Sequence, residues 1–148
     1  MSNIDLTLRP PRSMRVRLGR YVILPRLLDK CRADIAGTSG EYHYNCPIDQ
    51  YFFTFVGIDA EEFKSLVASG KGDGEIQEWI GANAKKPRDQ WEIAAWSQFH
   101  ETRSVDSDAE ALAWYAESIG KLTTTREDIR TIADFLDLDD YVTFGGKA

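Results

Sequence analysis

Proline, glycine and helix-capping residues punctuate this chain at short intervals, and between them apolar residues recur at helical rather than alternating spacing. That pattern leaves room for a series of short helices and little else. Pro25 suits a first helical turn, Leu27, Leu28, Cys31 and Ile35 follow on one face, and Gly37 stands where a C-terminal cap belongs. Together they predict a helix over 25–36. Pro47 opens a second helix over 48–56, with Tyr51, Phe52 and Phe55 on a wide apolar face and Gly57 closing it. Asp59-Ala-Glu-Glu62 reads as a capping box for a helix carrying Phe63, Leu66 and Val67 to near Gly70. Asp73 is the expected cap for Ile76, Trp79 and Ile80, and 81–86 reads as a loop.

Pro87 reopens a helix with Trp91, Ala94, Ala95 and Phe99 on one face and Ile93 and Trp96 beside it. Asp106 and Asp108 supply negative charge to the start of a helix over 109–122. Thr125-Arg-Glu-Asp128 is the expected cap for a last helix through Ile129, Ile132, Ala133 and Leu136, and Tyr141-Val-Thr-Phe144 reads as a small strand. The expectation is an all-α fold: a compact bundle of about six to seven helices with at most a small two-stranded β element. Residues 1–148 are read as a single helical domain, with 1–24 forming an extended basic arm packed on or beside it.

That arm carries the main charge asymmetry. Arg9-Pro10-Pro11-Arg12 favours an extended chain, and Met14, Val16 and Leu18 alternate with Arg15 and Arg17 until Gly19 ends the alternation. The whole chain has net charge −6, yet residues 1–32 carry eight basic side chains against Asp5 and Asp29, a net +6. Such a distribution fits an arm lying on its own acidic body, or on a neighbouring copy's. It also fits an anionic partner, because the arginine fork matches carboxylates and phosphates. Sequence-specific nucleic acid is not expected, since the chain is acidic with a pI near 4.9 and its aromatics fall at predicted core positions.

The sharpest polar cluster is Glu41-Tyr42-His43-Tyr44-Asn45-Cys46. An imidazole beside a thiol can bind a soft metal or activate the sulfur. Structural zinc wants four ligands, however, and Cys31, one of only four His/Cys side chains, sits on an apolar helix face. No metal and no cofactor is therefore expected, and loop packing explains the cluster adequately. Gly70-Lys-Gly-Asp-Gly74 matches neither phosphate-binding glycine motif, and Asp137-Leu-Asp-Asp140 lacks the glycine and glutamate of a calcium loop. His100 ends the Trp-rich helix, where a cation suits the dipole. Two cysteines fit a reducing cytoplasm, with a 31–46 bridge left open. No segment is apolar enough to span a membrane, and no secretory signal is read at the basic N-terminus.

Several of these segments resemble a bacterial domain-of-unknown-function family (family 5069). The likeness rests on Asp5-Leu6-Thr7, Arg9-Pro10-Pro11-Arg12, Gly19-Arg20-Tyr21, Leu24-Pro25-Arg26, Asp29-Lys30 and Gly40–Asn45, and continues through Phe55-Val56-Gly57-Ile58 to Asp73 and Trp79-Ile80. It covers roughly the first eighty residues, with Glu92–Trp96 also similar. The resemblance implies a bacterial cytoplasmic setting and brings no activity.

Two functional readings follow. The first is a non-catalytic cytoplasmic binding protein whose Arg12, Arg15, Arg17 and Arg20 meet an anionic small molecule, an acidic protein surface or a second copy in a homodimer. The alternative is a small-molecule-binding protein or enzyme with a pocket near Tyr42, His43 and Cys46, where Arg20 or Arg26 orients an anionic substrate.

Overall fold

A computed structural model describes residues 4–148. Seven α-helices follow one another: α1 (Leu24–Ala36), α2 (Pro47–Val56), α3 (Ala60–Ala68), α4 (Asp73–Asn83), α5 (Gln90–Thr102), α6 (Ala109–Ser118) and α7 (Ile132–Thr143). A single 3-10 turn, Ile119–Lys121, extends α6. Among the described residues the only β pairing is two isolated bridges, Leu18 with Tyr21 and Ser104 with Thr131.

Local chemistry sets most helix ends. Pro25 lies in the first turn of α1, and Gly37 adopts φ 73° beyond its end, so its N–H and that of Thr38 cap the last carbonyls. Pro47 opens α2 and Gly57, at φ 72°, closes it. The Asp59 carboxylate accepts from the backbone N–H groups of Glu61 and Glu62 to start α3.

Four expectations are corrected. Gly72, not Asp73, precedes α4, with Glu75 reaching back to its N–H; Asp73 is left free to bind two arginines. Because α4 runs on to Asn83, the loop occupies 84–89 rather than 81–86. The last helix is capped by Thr131 with Asp134 instead of by Thr125 with Asp128. Residues 141–143, read as a strand, continue α7, and local β-propensity there yields to a helix tied to α1 through Asp140 and Arg26.

Helix α1 is the axis of the molecule. Every residue from Leu24 to Ala33 is buried, and the helix packs against α2 and α3. Its apolar side meets Phe52, Val56, Phe63 and Val67. The polar side is also covered, so Arg26, Asp29, Lys30 and Arg32 must each find a partner of opposite charge. They do: Arg26 pairs with Asp140, Asp29 with Arg12, Lys30 with Asp49 and Arg32 with Asp73.

The N-terminal arm is therefore bound to the body. Leu6, Pro11 and Met14 are buried, and Gly40 permits the close pass, since a Cβ there would lie 2.8 Å from the Leu6 carbonyl oxygen. The arm ends in a two-residue turn in which Leu18 and Tyr21 exchange both backbone hydrogen bonds, at 3.0 and 2.9 Å. Gly19 at φ 56° and Arg20 at φ 71° supply the left-handed pair such a turn requires. A smaller apolar cluster of Ile129, Phe135 and Leu138, with Trp114 and Tyr115 against it, joins α6 to α7.

Helix α5 turns opposite to expectation. Trp91 is 71% and Phe99 55% exposed, whereas Ser97 and His100 are buried. The reason is a hydrogen-bonding demand: the Ser97 hydroxyl accepts from the Val22 N–H at 3.1 Å and donates to the Arg20 carbonyl at 2.6 Å, closing the strained turn.

Candidate functional site

The Tyr42–Cys46 loop reaches α1, α6 and α7 around a cavity of about 360 Å³, within the size range of small-molecule sites. Asp49 shapes the loop from below. Its Oδ2 accepts from the backbone N–H groups of Asn45 at 2.9 Å and Cys46 at 3.3 Å, fixing the start of α2. Asn45 adopts φ 67°, a left-handed conformation that Asn tolerates. The outcome is that Tyr42, His43 and Cys46 all border the same cavity.

Its floor holds two ion pairs. The Lys30 ammonium donates to Asp49 Oδ2 at 2.9 Å, to the His43 carbonyl at 3.2 Å and to Cys46 Sγ at 3.2 Å. Arg26 forks onto Asp140 at 2.8 and 3.0 Å, and the Tyr42 hydroxyl donates to the same carboxylate at 2.9 Å. Burial first, then the Asp140 carboxylate, raise the Tyr42 phenol well above its ordinary range, so it stays protonated and donating. Asp49 Oδ1 is buried and, among the described residues, receives no hydrogen bond.

The walls are largely apolar and come from α2 and from the far end of the chain. Ile48 and Tyr51 of α2 face Ala111 and Trp114 of α6 and Ile132 and Leu136 of α7. Trp114 is held edge-on to Phe135, ring centres 4.6 Å apart. Asp139 lines the cavity together with Glu41 and Glu110. Burial, with repulsion from Asp140 and Glu41 outweighing the attraction of Arg26, pushes the Asp139 carboxyl up.

The arginine arm fares differently. Arg12 bridges Asp29 and Asp73; Arg15 pairs with Asp134 and, at 3.0 Å, with Asp137; Arg17 meets Glu101 at 2.7 Å. The basic arm thus lies on its own acidic body. Arg26 belongs to α1 rather than to the arm, and its guanidinium lines the cavity. Arg20 makes no ion pair among the described residues and lies elsewhere, at a smaller hollow of about 260 Å³ with Lys86 and Arg88. A further open hollow of about 460 Å³ lies beyond Tyr51, where Lys86 donates to the Thr54 carbonyl and Arg88 to that of Phe55.

Both cysteines are free thiols. Burial pushes the Cys31 thiol up to about 12, consistent with its place in the core. His100 is not a charged helix cap. Burial, assisted by Arg103, lowers it to about 4, and it stacks on Tyr51 as a neutral ring with centres 4.9 Å apart. Among the described residues no group of three or more His, Cys, Asp or Glu side chains is arranged to hold a metal ion, and no helix is long and apolar enough to cross a membrane.

Sequence reasoning named Arg26, Tyr42, His43 and Cys46 and missed Lys30, Asp49, Trp114, Leu136, Asp139 and Asp140. Sequence reasoning weighed residues 137–140 only against a calcium loop, although the spacing from Ile132 through Leu136 to Asp140 carries one helical face onward.

No curated protein matches the chain. A family model described as "Domain of unknown function (DUF5069)" does match, over residues 8–142. That span takes in most of the arm, the loop and all the cavity's walls, well beyond the first eighty residues that carry the resemblance. The chain therefore belongs to the DUF5069 family.

Proposed function

We propose that this protein binds a small molecule in the cavity enclosed by the Tyr42–Cys46 loop, α1, α2, α6 and α7. The supporting observation is that Tyr42, His43 and Cys46 converge, over apolar walls from residues 48–136, on one partly enclosed space of about 360 Å³. The arginine reading loses support because Arg12, Arg15 and Arg17 are neutralised by carboxylates of the same chain, which an outside anion would have to displace. Free thiols suit a bacterial cytoplasmic setting. Native mass spectrometry of protein purified from its own cells tests the proposal. We expect a species heavier than the bare chain by a small-molecule mass, absent from Ala111→Trp and Leu136→Trp variants that fill the cavity. A bare chain in every case, or a ligand that survives both fillings, overturns it.

One observation sustains a narrower form of the arginine reading. Arg20 is exposed, held at a left-handed φ and set beside Lys86 and Arg88. Under this reading phosphate or an acidic peptide binds there, and Arg20→Gln with Lys86→Gln abolishes binding of either at low salt. Unchanged binding in the double variant ends it.

A further inference from the structure

The charges around the cavity do not balance, and the imbalance specifies a ligand. This step rests on the small-molecule reading above. Arg26 and Asp140 have side chains 6% and 10% exposed, and Lys30 and Asp49 only 5% and 1%. Each cation is consumed by its partner, and neither can turn to an incoming anion without stranding a buried carboxylate. What remains unpaired is negative. Glu41, Glu110 and Asp139 make no ion pair and accept no side-chain hydrogen bond among the described residues. Asp139 is half-buried beside Asp140, and the cation that acts on it, Arg26, is already forked onto Asp140. Trp114 lines the same cavity, and aromatic rings attract cations.

We propose that the cavity takes an organic cation, its apolar body against Trp114 and Leu136 and its protonated amine at Asp139, with Glu41 and Glu110 drawing it in. An anionic substrate oriented by Arg26, the arrangement expected from sequence, does not fit a guanidinium already forked onto Asp140. Ligand binding would supply Asp139 with the counter-ion the fold withholds. Asp139→Asn should therefore weaken binding while leaving the empty protein at least as stable as before.

The test uses three probes of one shape and different charge: hexylammonium, hexanol and hexanoate. Each is titrated against the intact protein by Trp fluorescence, with Trp114→Phe as the blank, and by calorimetry. Hexylammonium should bind about tenfold tighter than hexanol, with hexanoate weakest. In Asp139→Asn, folded by circular dichroism, hexylammonium should fall to the level of hexanol, and hexanol should be unchanged. Hexanol or hexanoate binding as tightly as hexylammonium, or hexylammonium indifferent to Asp139→Asn, overturns the cation assignment and leaves the pocket standing. If none of the three binds, and filling the cavity with Ala111→Trp changes nothing, the pocket reading falls with it.

Discussion

Removing the carboxylate of Asp140 should destabilise the protein severely, and replacing its partner as well should restore most of the loss. The Arg26 side chain is 6% and that of Asp140 10% exposed, and two hydrogen bonds of 2.8 and 3.0 Å join them. In Asp140→Leu the guanidinium stays buried with only the Arg12 carbonyl, at 3.3 Å, to receive it. Breaking a buried pair from one side costs about 3–5 kcal/mol, because the remaining charge is uncompensated. For a chain of this length that corresponds to a fall in Tm of roughly 10–15 °C. The Tyr42 hydroxyl loses its acceptor in the same stroke, so the loop at the cavity loosens too. The double variant Arg26→Met/Asp140→Leu removes both charges and keeps the volume, and should lie within about 1–2 kcal/mol of the wild type. Urea unfolding of the four proteins in the cycle measures this. A loss below about 1 kcal/mol in Asp140→Leu, or singles that simply add in the double, would show that the pair is not buried as described.

Three further outcomes follow from the same geometry. Arg15→Gln/Arg17→Gln should lower stability by about 1 kcal/mol, read as a drop in Tm of a few degrees, since both arginines hold the arm to α5 and α7 through half-exposed pairs; an unchanged Tm would mean the arm's arginines face outward. His100 titrates at about 4 in the fold and near 6.5 in the unfolded chain, so the unfolded state takes the proton first and stability, complete above ~6.5, falls as pH drops toward ~4 by up to about 3 kcal/mol. Urea unfolding at several pH values, with His100→Gln as reference, should show the wild type losing more across that window, and parallel curves would contradict it. Asp139→Asn should raise Tm by roughly 1–2 °C near neutral pH and leave it unaltered below ~pH 3.5, because a carboxyl pushed up by burial and by Asp140 opposes folding only when ionised; a lower Tm at neutral pH would mean Asp139 has a favourable partner.

The parts of this fold written in local chemistry were legible. Pro25 with Gly37, Pro47 with Gly57, and Asp59 before α3 each act within one turn of chain, so their residue types alone mark the ends. Where two local signals competed, tertiary structure decided. Trp91 and Phe99 look like a core face, but the Arg20 turn needs the Ser97 hydroxyl, and that requirement rotates α5 until the two aromatics face water. Tyr141-Val-Thr reads as strand by composition, yet the Asp140 bond to Arg26 anchors the adjoining turn of α7 to α1. The site divided along the same line. Tyr42, His43 and Cys46 are neighbours in sequence and stand out as a cluster. Trp114, Leu136 and Asp139 reach the cavity only because α6 and α7 fold back over α1, and no spacing in the chain encodes that return. The charge asymmetry was visible as a sum, whereas its resolution depended on which carboxylate each arginine met, from Asp29 at 17 residues' separation from Arg12 to Asp137 at 122 from Arg15.

Protein-observed NMR with a fragment library balanced in charge tests the central claim most directly. A site at the cavity predicts that amide shifts on binding cluster at residues 41–48, 110–114 and 132–139, in different parts of the chain but on one enclosed space, and vanish in Ala111→Trp. Shifts confined to Arg20, Lys86 and Arg88, or a library that moves no cavity residue, would contradict it.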